Sequence, residues 1–266
     1  MTTDSQRALG ADSAAGQTQQ PAQPAPPTGK QLLAPIWHTV VIVLVIIGNS
    51  YYAAGRLSAN IQHRGRILLY VSTMVWQLVL LGLVWVGLRL KKTKLRDIIG
   101  GRWSSFEAFL LDIAIALGFW IVSALILAAG KFALGLASAD VNHNLDEVKR
   151  TVGGIAPQTG AELVVFVLLA VFVGIVEEII FRGYLQKQIG AITGNVYVGL
   201  AIAAIIFGAG HGYQGTRFMI LIAIYGALFG ALVLLRKSLR PGMMAHAWQD
   251  AFSGIAVYLL TKYGKM

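Results

Sequence analysis

Val176-Glu177-Glu178-Ile179-Ile180-Phe181-Arg182 sets two adjacent carboxylates and an arginine at the end of a long apolar run, Leu163 to Val176. An ionisable side chain inside a membrane-length segment costs roughly 2.5 to 3.5 kcal/mol even on lenient insertion scales, so three together need a reason. A mutually neutralised ion cluster, or a helix ending among lipid headgroups, would be a structural one. Two further clusters favour a chemical one. Between Leu163 and Leu260 the only acidic residues are Glu177, Glu178 and Asp250, and the only histidines are His211 and His246. All five fall in three short patterns, Glu177-Glu178-x-x-x-Arg182, Phe207-x-x-x-His211 and His246-x-x-x-Asp250, which supply the groups of a hydrolytic or metal-binding site.

Around these patterns the 266-residue chain is 56% hydrophobic and 13% charged, about half the charge of an ordinary soluble domain. It reads as an all-α, multi-pass transmembrane bundle in contact with the lipid bilayer. The absence of cysteine excludes a thiol nucleophile, disulfides, cysteine-zinc sites and iron-sulfur clusters. The net charge of +10 collects in loops between spans, with no basic patch interleaved with aromatics, so nucleic acid is not an expected partner.

Residues 1–34 are rich in Gln, Pro, Ala, Ser and Thr and are expected to form a disordered tail. No basic segment runs directly into an apolar core there, so the tail is expected to be retained rather than cleaved as a signal peptide. Residues 35–266 are expected to form the transmembrane domain, with 160–260 as its catalytic core. Apolar segments follow at Ala34 to Ala54, Ile67 to Leu88, Ala108 to Gly130, Leu163 to Phe181, Val196 to His211, Phe218 to Leu235 and Gly242 to Leu260. Most approach the ~20 residues a crossing helix needs. Seven spans are predicted, with room for an eighth where Phe132 to Ala137 continues or re-enters. Asp112 and Asn49 read as interfacial or helix-packing groups, and Ser138 to Glu162 as an external loop.

Six basic residues, Arg89, Lys91, Lys92, Lys94, Arg96 and Arg102, fall between the second and third spans and place that loop in the cytoplasm. Threading from there puts the N-terminus, Arg182, Lys187, Arg236, Lys237 and Arg240 inside, most simply in a bacterial inner membrane. With a turn at Gly190 to Gly194, Glu177 lies 13 residues before it and His211 lies 17 after. Those spacings give depths of about 20 and 26 Å at 1.5 Å per residue, so the two side chains can meet inside the bilayer. His246 is only five residues past Pro241, about 8 Å, and reaches them only if that loop dips into the membrane.

On a helix, Glu178 can pair with Arg182 in the favoured order, acid before base. Glu177 points about 100° away with no charge partner on its own helix, which suits a general base. The expected division is that Glu178 and Arg182 brace the site while Glu177 activates water. Gly208 and Gly210 before His211 permit a close helix approach or a backbone break. His246 and Asp250 share a face, as a hydrogen-bonded pair or as two ligands.

In that order, on successive spans, the three patterns resemble the signature of the CAAX-protease and bacteriocin-processing family, also called type II CAAX endoproteases or Abi proteins. Leu239-Arg240-Pro241-Gly242-Met243-Met244-Ala245-His246 is similar to that family's approach to its last motif. The resemblance covers about residues 160 to 260. It implies an intramembrane endopeptidase acting on a membrane protein or lipidated peptide, with Glu177 and His211 activating water and His246 and Asp250 stabilising the oxyanion or holding metal. Phe207 enters as a supporting residue. The family chemistry is described both as a metalloprotease and as a metal-free glutamate endopeptidase; zinc would be held by His211, His246 and Asp250, with Glu177 available. The His-Glu-x-x-His, Gly-x-Ser-x-Gly and Gly-x-Gly-Asp motifs of other proteases are absent. Intramembrane Glu and His also mark ion pathways, so a proton- or ion-coupled transporter is the alternative, although no internal repeat supports it. A non-catalytic immunity or scaffolding protein would not need the intact set.

Overall fold

Several of the long helices start where the sequence offers a side chain to cap them. Ser105 Oγ accepts from the Ala108 N–H, Thr159 and Glu162 form a reciprocal capping box, and Asn195 Oδ1 accepts from Tyr197 and Val198. Each satisfies N–H groups that a helix start leaves without partners. The computed structural model describes residues 31–54, 65–136 and 154–263. Among these the chain is helical, with no strand. The elements are α1 (Ile36–Ala54), α2 (Arg66–Leu90), the short α3 (Leu95–Ile99), α4 (Phe106–Ala133), α5 (Gly160–Thr193), α6 (Val196–Ala209), α7 (Thr216–Arg236) and α8 (Arg240–Tyr263).

Five of these, α1, α2, α4, α5 and α7, are long and apolar enough to cross a membrane, where the hydropathy pattern predicts seven. The other two expected spans are also helices. α6 stops after 14 residues, when Gly210 and His211 lead into a 3-10 turn at Gly212–Gln214. α8 is long, but Arg240, His246, Gln249 and Asp250 make it too polar to qualify. Phe132 and Ala133 complete α4 and a turn follows to Leu136; the rest of the suggested eighth segment lies outside the described residues. So do residues 1–30 of the expected tail and most of the expected external loop. That loop's end is revised, because α5 begins at Gly160. The tail's end is revised too: the Leu33 and Ala34 N–H groups donate to Gln188 Oε1 at 2.7 and 3.2 Å, which seats that segment on α5.

α5 is the most deeply buried of the spans and α4 the least. Leu110, Leu117, Ile121, Val122 and Leu125 of α4 are exposed, a surface that matches hydrocarbon and not water. α5 changes character halfway. Gly160–Glu177 is α-helical, Glu178–Gln186 is π-helical with every residue buried, and Lys187–Thr193 is α-helical again. π-helical stretches are rare and recur at functional sites. This one is held to α7 by two side chains a turn apart, Arg182 donating to the Gly226 carbonyl and Gln186 to the Gly230 carbonyl.

The turn between α5 and α6 falls at Gly194, which takes the left-handed conformation (φ 70°) that a residue with a Cβ rarely adopts. Glu177 and His211 therefore each lie 17 residues from it. The turn between α7 and α8 is set deeper. The Leu239 N–H donates to the Ile99 carbonyl and Lys187 Nζ to the Ile98 carbonyl, so α3 ties that turn level with Lys187 rather than with Gly194. Leu239 is fully buried there. His246, seven residues on and about 10 Å further along α8, thus reaches the level of Glu178, and the depth mismatch read from the sequence disappears.

Candidate active site

Close packing of backbones brings α8 onto α5. A Cβ at Gly174 would fall 2.6 Å from the Ala247 nitrogen and 3.1 Å from the His246 carbonyl carbon, so only glycine allows this approach. One turn further along α5 the charged groups meet. Arg182 Nη1 lies 2.9 Å from Glu178 Oε1, the intrahelical pair the spacing predicts. The same oxygen lies 3.1 Å from His246 Nδ1, while Glu178 Oε2 is buried without a hydrogen-bond partner. An ionised carboxylate can only accept, so His246 Nδ1 carries a proton and donates it. Glu178, not Asp250, is the residue that orients His246. The ring's other nitrogen, Nε2, faces Glu177 Oε2 at 3.9 Å and Asp250 Oδ2 at 3.7 Å. Both separations exceed a direct hydrogen bond, so neither carboxylate is bonded to Nε2.

Aromatic rings wall this cluster. The Arg182 guanidinium lies over Phe207 at 4.2 Å and over Phe229 at 5.0 Å, a cation–π arrangement favourable in a desolvated setting. Phe229 stacks on His246 at 5.1 Å. Phe207 stands between the two histidines, 4.9 Å from His211 and 6.0 Å from His246 by ring centroids. Its carbonyl also lies 2.8 Å from His211 Nδ1. A carbonyl only accepts, so this fixes the tautomer with the proton on Nδ1 and leaves Nε2 with its lone pair. α6 is brought close to α7 at Gly208, as expected, where a Cβ would meet the Met219 carbonyl oxygen at 2.5 Å.

Glu177, Glu178, Arg182 and His246 are buried together, with Phe207 packed against them. His211 and Asp250 stand on the more open side, the Asp250 side chain 37% exposed. His211 makes no direct hydrogen bond or ion pair to Glu177, His246 or Asp250. The zinc set expected from the resemblance is not assembled: among the described residues no three His, Asp or Glu side chains are grouped so as to hold a metal ion. Two contributors were not anticipated. Phe229 is one, and Gln77 of α2 is the other, its Nε2 donating to Glu177 Oε1 at 2.7 Å. Gln77 is the only amide side chain in α2, which has no acid; an isolated amide in an apolar span was the signal that could have found it.

A buried acid–histidine cluster, walled by aromatics within a multi-pass helical bundle, defines an integral membrane protein with a polar intramembrane site. Residues 159–252 match the family model Rce1-like, described as Type II CAAX prenyl endopeptidase Rce1-like. The matched segment runs from the α5 cap past Asp250 and holds all three motifs, so over this part of the chain the sequence is similar to the family that the motifs resemble. No curated protein and no solved structure matches the chain.

Proposed function

We propose that the chain hydrolyses a peptide bond of a membrane protein or lipidated peptide within or beside the bilayer, by water activated at Glu177. The observation that carries this reading is the division between the two adjacent glutamates. Glu178 is committed to Arg182 and His246, whereas Glu177 turns one oxygen, Oε2, toward His246 Nε2 with no hydrogen bond of its own. Water held beside these groups gives a proton to Glu177 Oε2 and offers its other hydrogen to the lone pair of His211 Nε2. Its oxygen forms the new bond to the scissile carbonyl carbon. The resulting oxyanion is stabilised by the Nε2–H of His246 in its imidazolium form, anchored from behind by Glu178. The C–N bond then breaks as Glu177 returns its proton to the leaving amine. Each step uses side chains alone. Asp250, at the rim, supports the imidazolium through its charge.

One end of the bundle gathers the basic residues. There Lys187 bonds α3, and Arg236 and Arg240 meet Asp112. This supports a cytoplasmic placement of that end, with the N-terminus inside; a bacterial inner membrane is the membrane proposed. The function is tested by sequencing peptide ends in membranes from cells with the wild-type chain or with Glu177→Gln. New ends present only with the wild type are expected; identical sets of ends would refute proteolysis.

A further inference from the structure

The matched family segment does not include α2, yet α2 sends one polar side chain to the reacting centre. The buried face of α2 is Tyr70, Gln77, Leu80, Val84, Gly87 and Leu88, and Gln77 lies near the middle of that otherwise largely apolar seam. Its Nε2 donates to Glu177 Oε1 at 2.7 Å, the short length of a bond to a charged acceptor. Among the described residues this is the only side-chain hydrogen bond that Glu177 receives. Because an ionised carboxylate cannot donate, the amide must present its nitrogen to Glu177. Its own oxygen is thereby turned into a buried position without a partner. A glutamine serving only its own solvation would not be left half satisfied; the orientation is set by what Glu177 requires.

From this we infer that Gln77 is a positioning residue for the general base: it ties Glu177 Oε1 to α2 and so assigns proton transfer to Oε2, the oxygen that faces His246 Nε2 at 3.9 Å. Without the tie the carboxylate is free to rotate about its terminal torsion, which is broad for Glu. The carboxylate plane then turns through intermediate angles, and the oxygen beside His246 Nε2 is no longer held in place. The proposal rests on the proteolytic reading above and adds to it a residue outside the matched segment.

The test uses full-length protein in nanodiscs with an internally quenched, farnesylated CAAX peptide as probe. Gln77→Met keeps the shape and removes the donor. It is expected to lower kcat by about 10- to 100-fold, the usual effect of losing a partner that orients a working side chain, with KM within about threefold and only a modest fall in the thermal midpoint. Gln77→His, which restores a ring N–H at similar reach, is expected to recover most of the loss. Infrared spectra supply a readout that does not depend on cleavage: Gln77→Met should shift a carboxylate stretch that disappears in Glu177→Gln. Wild-type kcat in Gln77→Met, or no such shift, overturns the role of Gln77 and leaves proteolysis standing. A wild type as inert as Glu177→Gln toward this probe and toward the membrane proteome defeats the proteolytic reading, and the infrared shift then decides the tie by itself.

Discussion

Two buried carboxylate clusters in this molecule use arginine in opposite ways. At the basic end of the bundle, Asp112 Oδ1 takes Arg236 at 2.8 Å, and Oδ2 takes the Trp103 indole N–H at 2.9 Å and Arg240 at 3.4 Å. One acid meets three donors, and both of its oxygens are satisfied. In the centre, three carboxylates, Glu177, Glu178 and Asp250, share Arg182, His246 and the Gln77 amide. Glu178 Oε2 there has no partner, and the contacts of Glu177 Oε2 and Asp250 to His246 are longer than hydrogen bonds. A closed cluster fastens helices α4, α7 and α8. An acid-rich cluster with unused acceptors is what proton transfer to and from water requires. The proposed chemistry therefore rests on the balance of donors and acceptors around the buried charge and not on the charge alone.

That contrast can be broken by substitution. The largest effect is expected at Glu178, where Gln removes the charge that holds both Arg182 and His246. An uncompensated buried charge costs about 3 to 5 kcal/mol, so Glu178→Gln should lower the unfolding midpoint in detergent and abolish cleavage together. Asp112→Asn should act on stability alone, by about 1 to 3 kcal/mol, because Arg236 is partly exposed and can turn to water. Cleavage per folded molecule should stay within about twofold of the wild type; loss of cleavage at full stability would erase the distinction between the clusters. A smaller effect is expected at Asp250. If it supports His246 through charge only, Asp250→Asn should keep activity within about tenfold, and a chelator should leave both proteins unchanged. Parallel loss of bound zinc and activity in that variant would instead establish Asp250 as a ligand. The smallest effect is topological. In this cysteine-free chain, Lys92→Cys should be protected from an impermeant thiol reagent in intact cells and Gln158→Cys labelled, each with normal activity; the reverse pattern would invert the orientation.

The motifs were legible because membrane interiors exclude ionisable groups, so Glu177, Glu178, Arg182, His211, His246 and Asp250 stand out against an apolar background. The Glu178–Arg182 pair was legible because both partners lie on one helix at a fixed spacing. What depended on two helices was not. The bond from Glu178 to His246 displaces the pairing of His246 with Asp250 that local spacing suggests, and no local rule encodes it. The depth of His246 could not be read because α3, a five-residue helix in a basic loop, holds the α7–α8 turn inward. Asp112, which the sequence marks as an interfacial or helix-packing group, packs helices through Arg236, Arg240 and Trp103. The π-helical stretch has no signature in hydropathy, since its residues are buried on all sides whichever helical period they follow.

Glu177→Gln tests the water-activating role most directly, because it removes a base while keeping volume and the Glu178–Arg182–His246 unit. Cleavage of the farnesylated probe by purified protein in nanodiscs should fall by at least about a hundredfold, the scale of general-base catalysis, with the unfolding midpoint unchanged. Full activity in Glu177→Gln would contradict that role and move the base elsewhere in the cluster.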